Sequence, residues 1–379
     1  MIESFRERPY AERHARRIID WARREHPFYR RWISDPENPP ILDRRTVLEH
    51  NDEIINGHPV TGSTSGSTGV PVLFSHSEDW QRRAAADTCR FVRLLGGPVQ
   101  VVRIVYTAGG DLPQSDTLSI STPVSEQLAF VLRRRCEVGT VAITTYPTNA
   151  VMLSEEVHRS GADMGFIRRF GLYAESIEPA HLEAVRRAFP NARIWSTYSA
   201  MEFGMIAWIC PYEPSFHHIS AERLGVEVLR DDDTPAAPGE RGRVVITDYF
   251  NRASPFIRYE LGDYAVRGRC PCGRIHLPAL SAIHGKIRGA LLHRNGNRVL
   301  FADLSVALKA IPGIRQYQVL QTDVEEFTVR LVAPRRLDRE VEAAFLDHFG
   351  YRPRTLRTEY LPEIPRGANG KYYASICTV

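Results

Sequence analysis

The segment from Thr61 to Val72 constrains this chain most, because it gathers small and hydroxyl-bearing residues into one short stretch. It reads Thr-Gly-Ser-Thr-Ser-Gly-Ser-Thr-Gly-Val-Pro-Val. Glycine permits positive φ and a close approach of the backbone, and successive N–H and O–H groups can surround a phosphate. The same composition is typical of a flexible linker. This segment alone therefore leaves two interpretations open, a phosphate-binding loop and a linker.

The composition indicates a globular protein of more than one domain. The chain has 379 residues, 43% hydrophobic and 25% charged, which predicts about two domains. No apolar run approaches the ~18 residues of a membrane span, and the first residues lack the apolar centre of a signal peptide. We therefore expect a cytoplasmic protein with no membrane partner. Its 49 basic residues are interleaved with 45 acidic ones, so we expect no nucleic-acid partner either.

Strand-like and helix-like segments alternate along most of the chain. This alternation predicts an α/β fold with a layered domain. Helices are predicted at 1–35, 43–50 with Asp43 as the N-cap, 79–95, 124–135 and 178–188. Strands are predicted at 99–106, 140–145, 223–230, 243–249 and 256–259.

A domain boundary is predicted near residues 284–290, where the pattern changes. We expect a large layered α/β domain at 1–285 and a small α+β domain at 286–379. The second domain has predicted helices at 303–310 and 337–349 and predicted strands at 316–321, 326–332 and 357–361.

Four short segments occur in the order found in one superfamily of enzymes. Thr64-Ser65-Gly66-Ser67-Thr68-Gly69-Val70-Pro71 resembles the phosphate loop TSGTTGKP, and Tyr198-Ser199-Ala200-Met201-Glu202 resembles YGxSE. Arg258-Tyr259-Glu260-Leu261-Gly262-Asp263 resembles RYRTGD, and Arg366-Gly367-Ala368-Asn369-Gly370-Lys371 is similar to the ending that presents a catalytic lysine. By these motifs the chain resembles the adenylate-forming enzymes, in the phenylacetate–CoA ligase branch, over nearly its whole length.

The resemblance implies a role for each motif. ATP phosphates would be held by Thr64, Ser65, Gly66, Ser67, Thr68 and Gly69. Glu202 would hold Mg²⁺, Asp263 the ribose hydroxyls and Tyr198 the adenine, with Glu175 at the border of the adenine pocket. Arg258 is a further candidate for ATP. Lys371, on a mobile C-terminal domain, would place its charge against the α-phosphate. Each residue also has an ordinary alternative, as a surface, turn or core residue.

Further candidates belong to the acyl pocket, where aromatic side chains suit a planar aryl acid. These candidates are Tyr106, Gly109, Gly110, Tyr146, Phe203 and Gly204, and core packing is an alternative for each. The compressed region at 97–150 resembles a compact subgroup found in antibiotic pathways, including phenazine (griseoluteic acid) biosynthesis. The resemblance implies that an aryl carboxylic acid is adenylated with ATP and then passed to coenzyme A.

Two other functions stay open. The acceptor could be an amine or a carrier protein instead of coenzyme A. The chain could also be a non-catalytic nucleotide-binding subunit, since Val70, Met201 and Arg288 depart from the superfamily motifs, as does Glu260. A homodimer is left open as well.

A zinc site is implied by the same resemblance. Its predicted ligands are Cys210, His217, Cys270 and Cys272, with His218 as the alternative histidine. Three thiolates and one imidazole suit a closed, tetrahedral structural site. Reduced free thiols are the alternative.

Overall fold

The structure is a computed structural model that describes most of the chain. The described residues are 7–64, 71–105, 116–138, 141–173, 175, 177, 179–286, 291–296, 298–299, 301–365 and 374–379. The chain divides into two compact units, Met1–Gly285 and Lys286–Val379.

The helices of the described residues lie mainly in the first unit. They are α1 (Glu7–Glu25), α2 (Pro27–Trp32), α3 (Arg44–Glu49), α4 (Asn51–Ile55), α5 (Glu78–Leu94), α6 (Val124–Val138), α7 (Pro147–Ser160), α8 (Pro179–Ala188), α9 (Phe301–Ala310) and α10 (Asp338–Phe349). Helix α3 begins at the predicted N-cap, because the Asp43 side chain accepts from the Thr46 N–H at 2.7 Å. None of the helices in the described part of the chain is long and apolar enough to cross a membrane.

The first unit has a β-hairpin and one large sheet. The hairpin consists of β1 (Gly62–Ser63) and β2 (Leu73–Phe74). The sheet strands are β3 (Gln100–Val105), β4 (Thr117–Ser119), β5 (Val141–Thr145), β6 (Ile167–Leu172), β7 (Arg193–Ala200), β8 (Gly204–Ile209), β9 (His217–Ile219), β10 (Leu224–Leu229), β11 (Arg241–Asp248), β12 (Tyr259–Gly268) and β13 (Ala279–Lys286). In the described residues their order is β10-β11-β12-β13-β9-β8-β7-β6-β5-β3-β4.

One half of the large sheet is parallel. Strand β3 pairs in parallel with β4 and β5, β5 with β6, and β6 with β7. Helices α6, α7 and α8 connect these strands, as parallel pairing requires. Their apolar faces pack on Val102, Ile143, Phe170 and Leu172, which are fully buried. The carboxyl ends of β5, β6 and β7 therefore meet at one edge, where α/β sheets commonly bind ligands.

The other half of the sheet is largely antiparallel. Strand β7 pairs antiparallel with β8, β8 with β9, β9 with β13, β12 with β11 and β11 with β10. Its core includes Phe203, Val244, Phe256 and Tyr259, packed with apolar residues of α1 to α4. The strand predicted at 256–259 is wrong, because β12 begins only at Tyr259. Arg258 has a φ of 48°, a left-handed conformation that interrupts an extended backbone.

The second unit is a small α+β unit. It contains the pair β14 (Leu291–Leu292) and β15 (Arg298–Val299), and a sheet of β16 (Gln316–Asp323), β17 (Glu326–Val332), β18 (Thr355–Tyr360) and β19 (Ser375–Cys377). The sheet order is β18-β17-β16-β19. Phe327, Phe345 and Phe349 join the sheet to α10 in one core. The predicted α/β class, with a smaller α+β part, is confirmed.

Candidate functional site

The ends of the phosphate-loop segment are held together by the β1–β2 hairpin. Gly62 pairs with Phe74, and a Cβ on Gly62 would lie 2.6 Å from the Phe74 ring, so glycine is required at this approach. One residue further, the Thr64 N–H donates to the Val72 carbonyl at 2.9 Å, and the Thr64 hydroxyl accepts from the Val72 N–H at 3.0 Å. The hairpin thus closes a loop between Thr64 and Val72.

A side-chain amide braces the second strand of the hairpin. Asn51, at the start of α4, donates to the Leu73 carbonyl and accepts from the Leu73 N–H, both at 2.8 Å. These two bonds occupy the backbone groups that a further strand would otherwise use. The predicted phosphate ligands Ser65, Gly66, Ser67, Thr68 and Gly69 lie outside the described residues, between these two anchored ends.

Tyr198 and Asp263 form a direct hydrogen bond across the sheet. The Tyr198 hydroxyl, on β7, donates to the Asp263 Oδ2, on β12, at 2.6 Å. Asp263 is buried. The pKa of Tyr198 is well above its usual value, because burial disfavours the phenolate and the carboxylates of Asp263 and Glu202 repel it. The hydroxyl is therefore a donor, and the structure brings two predicted ATP-binding residues together.

Glu202 lies in the turn between β7 and β8, close to this pair. It is only 3% exposed, and its charge contributes to the raised pKa values of both Tyr198 and Tyr259. A carboxylate at this depth requires hydrogen bonds, an opposite charge or a metal ion. Hence Tyr198, Glu202 and Asp263 form one acidic cluster that is suited to a cation and to hydroxyl donors.

Glu175 lies beyond the carboxyl end of β6. Its carboxylate accepts from the Thr148 N–H at 3.0 Å and from the Thr148 hydroxyl at 2.9 Å, at the start of α7. A carboxylate is favoured at a helix N-terminus. Tyr146 follows β5 and stacks on Tyr173 with ring centroids 5.0 Å apart. The two predicted residues Glu175 and Tyr146 therefore share the edge of the sheet at which parallel strands end.

Arg258 contacts the protein rather than the Tyr198–Asp263 pair. Its guanidinium pairs with Glu227 at 3.2 Å and donates to the Pro39 carbonyl at 2.7 Å. The positive φ at Arg258 turns the chain just before β12. These contacts give no support to the prediction that Arg258 binds ATP. Glu260, the departure from the motif, pairs with Arg243 at 3.0 Å.

Two candidates for the acyl pocket lie in the turn next to Glu202. Phe203 is fully buried, with ring centroids 5.6 Å from Phe256 and 5.9 Å from Tyr259, so it is a core residue and does not line an open pocket. Gly204 has a φ of 62° and faces Trp80, whose ring would lie 3.3 Å from an added Cβ. Tyr106, Gly109, Gly110 and Lys371 lie outside the described residues.

Three cysteines and a histidine form a potential metal site. The ligand atoms of Cys210, His218, Cys270 and Cys272 all lie within 4.8 Å of one another. Cys210 follows β8, His218 is on β9, and the other two cysteines are in the turn between β12 and β13. The pKa of Cys270 is raised to about 12, because partial burial disfavours its thiolate and the thiols of Cys272 and Cys210 lie close to it. Three sulfurs and one imidazole fit tetrahedral zinc.

The histidine of this site is His218, so the prediction of His217 is wrong. Neighbouring residues of a strand point to opposite faces of the sheet, and only one of the two can reach the cysteines. His217 instead makes a 2.9 Å hydrogen bond with the Ser196 hydroxyl. His218 lies 3.8 Å from the Cys272 sulfur through Nε2, while its Nδ1 is 3.3 Å from the Leu277 carbonyl. That carbonyl orients the ring as in many metal sites.

A buried polar group behind Glu202 was not predicted. Its members are the half-buried His76 and the buried Trp80, Asp248 and Asn251, with the buried Arg223 beside them. These members lie in the segment after β2, in α5, and at and just after the end of β11. No periodicity or motif marks these residues in the sequence, since their association depends on segments far apart in the chain.

The fold was compared with solved structures of other proteins. A 2-hydroxyisobutyryl-CoA ligase, solved in its postadenylation state with R3-HIB-AMP, is 16% identical with a TM-score of 0.73, covering 98% of this chain and 89% of that one. The amide bond synthetase McbA from Marinactinospora thermotolerans is 17% identical with a TM-score of 0.58, covering 80% and 66%. The anthranilate CoA ligase AuaEII, solved with anthranoyl-AMP, is 16% identical with a TM-score of 0.55, covering 81% and 64%.

These similarities establish the fold. The chain has the fold of adenylate-forming enzymes, and the resemblance seen in the motifs is confirmed at that level. No protein-family model matches the sequence, and no curated protein matches it. The phenylacetate–CoA ligase branch and the antibiotic-pathway subgroup stay predictions.

Proposed function

We propose that this protein is an ATP- and Mg²⁺-dependent ligase that adenylates an aryl carboxylic acid and passes the acyl group to coenzyme A. One observation carries the proposal. The buried Glu202 and Asp263 and the half-buried Tyr198, from motifs far apart in the sequence, form one cluster in a fold shared with enzymes solved with acyl-adenylates. Residues 1–285 would form the adenylation domain, and residues 286–379 would carry Lys371.

The phosphate side of the site would combine the loop with Glu202. ATP and a carboxylate are both anions, so neutralising charge is the main requirement of the reaction. The hairpin holds the ends of the loop. The hydroxyl and N–H groups of the loop would surround the β- and γ-phosphates. Glu202 would hold Mg²⁺, which neutralises phosphate charge when bound.

The nucleoside side would use the Tyr198–Asp263 pair. Asp263 would accept hydrogen bonds from the ribose hydroxyls, with its carboxylate oriented by the Tyr198 hydroxyl at 2.6 Å. Tyr198 would present its ring to the adenine, and Glu175 would border that pocket.

The reaction would proceed in two steps. A carboxylate oxygen of the acid attacks the α-phosphorus, the bond to the β-phosphate breaks, and pyrophosphate leaves. Lys371 would stabilise the charge at the α-phosphate in this step. The coenzyme A thiol then loses its proton and attacks the acyl carbon, so that a thioester forms and AMP leaves.

A structural zinc ion belongs to the same proposal. Cys210, His218, Cys270 and Cys272 supply a closed set of four ligands, which leaves no position for a reacting water. The ion would join the end of β8 and β9 to the turn between β12 and β13. Both β8 and β12 neighbour the Tyr198–Glu202–Asp263 cluster in the chain, so zinc would stabilise the site without taking part in the chemistry.

The direct test is pyrophosphate release with ATP and Mg²⁺ from a panel of benzoic, phenylacetic and fused-ring aryl acids, each with and without coenzyme A. Acid-dependent release is expected, together with a thioester when coenzyme A is present. Lys371→Ala should reduce release by at least about a hundredfold, in the range of a lost electrostatic group, while MgATP binding stays nearly intact. Lys309→Ala, on α9, is the matched control and should behave as the parent.

Glu202→Gln tests the magnesium role. It should raise the Mg²⁺ concentration needed for half-maximal release, because a neutral amide replaces the charged ligand. Glu240→Gln removes an exposed glutamate that pairs with Arg230 and should leave the Mg²⁺ dependence unchanged. Equal Mg²⁺ dependence in the Glu202 variant and the parent would remove Glu202 from this role.

Two alternatives would give different results. If acyl-AMP forms but no thioester does, amines and carrier proteins become the acceptors to test, and the similarity to an amide bond synthetase favours this alternative. If a folded protein binds ATP and releases no pyrophosphate with any acid, a non-catalytic nucleotide-binding subunit is favoured. The antibiotic-pathway role and a cytoplasmic location remain part of the proposal.

A further inference from the structure

His76 links the segment after the β1–β2 hairpin to the turn that carries Glu202. It lies two residues after β2, and its Nε2 is 3.0 Å from the main-chain carbonyl oxygen of Glu202. A carbonyl can only accept, so Nε2 carries the hydrogen and donates. This is a contact between residues 126 positions apart in the chain.

The His76 ring is held in place by a stack. It lies parallel to the Trp80 ring, with centroids 3.5 Å apart and an angle of 6° between the planes. Trp80 in turn covers Gly204, where an added Cβ would lie 3.3 Å from its ring. The two rings therefore contact both ends of the turn from Glu202 to Gly204.

Trp80 is itself anchored by a buried carboxylate. The indole N–H donates to the Asp248 Oδ2 at 2.6 Å, and Asp248 is 1% exposed. The other oxygen, Oδ1, accepts from the N–H groups of Phe250 at 2.9 Å and Asn251 at 3.1 Å. Arg223 lies 3.6 Å from Oδ2 and compensates the charge. A polar group with this many partners holds one geometry.

Asn251 holds the backbone on both sides of His76. Its side-chain amide donates to the Ser75 carbonyl at 2.9 Å, and its Oδ1 accepts from the Ser77 N–H at 3.2 Å. The same amide donates to the Ser254 carbonyl at 3.1 Å. The main chain at His76 is thus tied to the end of β11, while the imidazole is tied to Glu202.

From this arrangement we infer that His76 is a positioning residue, which fixes the turn that carries Glu202 relative to the segment after β2, so that Glu202 can hold the Mg²⁺ of MgATP. The inference rests on the proposed function, because it assigns His76 a task in MgATP binding. His76 acts through the Glu202 backbone and touches neither nucleotide nor metal. Its loss should therefore raise the KM for MgATP and the Mg²⁺ half-saturation more than it lowers kcat.

The test compares variants of His76 in the full-length protein. His76→Phe keeps a ring on Trp80 but removes the donor, and it should raise the KM for MgATP and the Mg²⁺ half-saturation by roughly tenfold, as for a buried carbonyl left unpaired. His76→Gln places an amide donor near the position of Nε2 and should restore values within about twofold of the parent. His58→Phe, the same change at an exposed histidine, is the matched control and should have no effect.

Several outcomes would overturn the inference. A folded His76→Phe variant with parental KM and Mg²⁺ half-saturation would do so, as would an equal loss in His76→Gln and His76→Phe. A fall in melting temperature with unchanged MgATP parameters would show a purely structural role. If His76→Phe does not fold, His76→Asn, whose amide is too short to reach, replaces it against His76→Gln.

Failure of the proposed function would look different. In that case the parent releases no pyrophosphate with any acid, and calorimetric titration with MgATP alone takes the place of the kinetics. A weaker affinity in His76→Phe, restored in His76→Gln, would uphold the inference for a binding protein. A parent that binds no MgATP would overturn both.

Discussion

At the scale of single residues, two tyrosine–aspartate pairs, each with one member on β12, have the same chemistry but differ in environment. The Tyr198 hydroxyl donates to the buried Asp263 at 2.6 Å, and the Tyr264 hydroxyl donates to the exposed Asp231 at 3.2 Å. Hydrogen bonds to charged groups contribute most where water is excluded. The buried pair should therefore matter for stability and for the site, and the exposed pair should not.

Tyr198→Phe is expected to lower the free energy of unfolding by about 1.5–3 kcal/mol, since Asp263 loses a donor that water does not replace. If Asp263 binds the ribose, the KM for ATP should rise several-fold as well. Tyr264→Phe is the matched control, expected within about 0.5 kcal/mol of the parent. Urea titrations and initial rates give both quantities. Equal destabilisation by the two variants would contradict the distinction between buried and exposed pairs.

At the scale of elements, the site is assembled by short connections at the ends of strands. The parallel strands β5, β6 and β7 bring Tyr146, Glu175 and Tyr198 to one region, because their carboxyl ends lie at the same edge of the sheet. The two-stranded hairpin is different, since strands of two residues each are too short to be stable alone. Its geometry depends on bracing from Asn51.

Asn51→Ala removes both hydrogen bonds to Leu73 and should lower the free energy of unfolding by about 1–3 kcal/mol. The hairpin would also hold the phosphate loop less firmly, so a higher KM for ATP is expected with kcat less affected. Asn191→Ala is the control, because it removes one hydrogen bond to Gly165 in an exposed turn. Thermal unfolding measures the loss of stability, and rates at varied ATP concentration measure the change in KM. An Asn51 variant as stable as the Asn191 variant would show that the hairpin needs no brace.

At the scale of the whole molecule, the two units have separate cores, and the cysteine–histidine cluster lies within the first unit. Cys210 is fully buried and packs with Phe91, Trp208 and Ile275. A metal ion there would close loops between β8, β9 and the β12–β13 turn, so its binding free energy would contribute directly to folding.

Purified protein is expected to contain one zinc ion per chain by elemental analysis. Removal by a strong chelator, or Cys272→Ser, should lower the melting temperature by about 3 °C, corresponding to about 2 kcal/mol in a protein of this size. Cys89→Ser changes an exposed cysteine outside the cluster and should retain zinc and stability. Full stability of metal-free protein would reject a structural zinc site.

Much of this protein was readable from its sequence because the relevant signals are local. Alternating apolar segments predicted the α/β class, and Asp43 predicted a helix start. Ordered motifs predict that Thr64, Tyr198, Glu202 and Asp263 serve one site, which stays a prediction, and the structure joins Tyr198 to Asp263. These features depend on neighbours along the chain, on residue types and on motif order.

Other features were decided only by the tertiary structure. Whether His217 or His218 faces the cysteines depends on which face of β9 meets the β12–β13 turn. A shift of one residue in the strand register would exchange the two histidines. The guanidinium of Arg258 pairs with Glu227, and His76 donates to the Glu202 carbonyl, because the fold packs together segments that are separated in the sequence. Such contacts depend on packing between segments, which the order of residues alone does not specify.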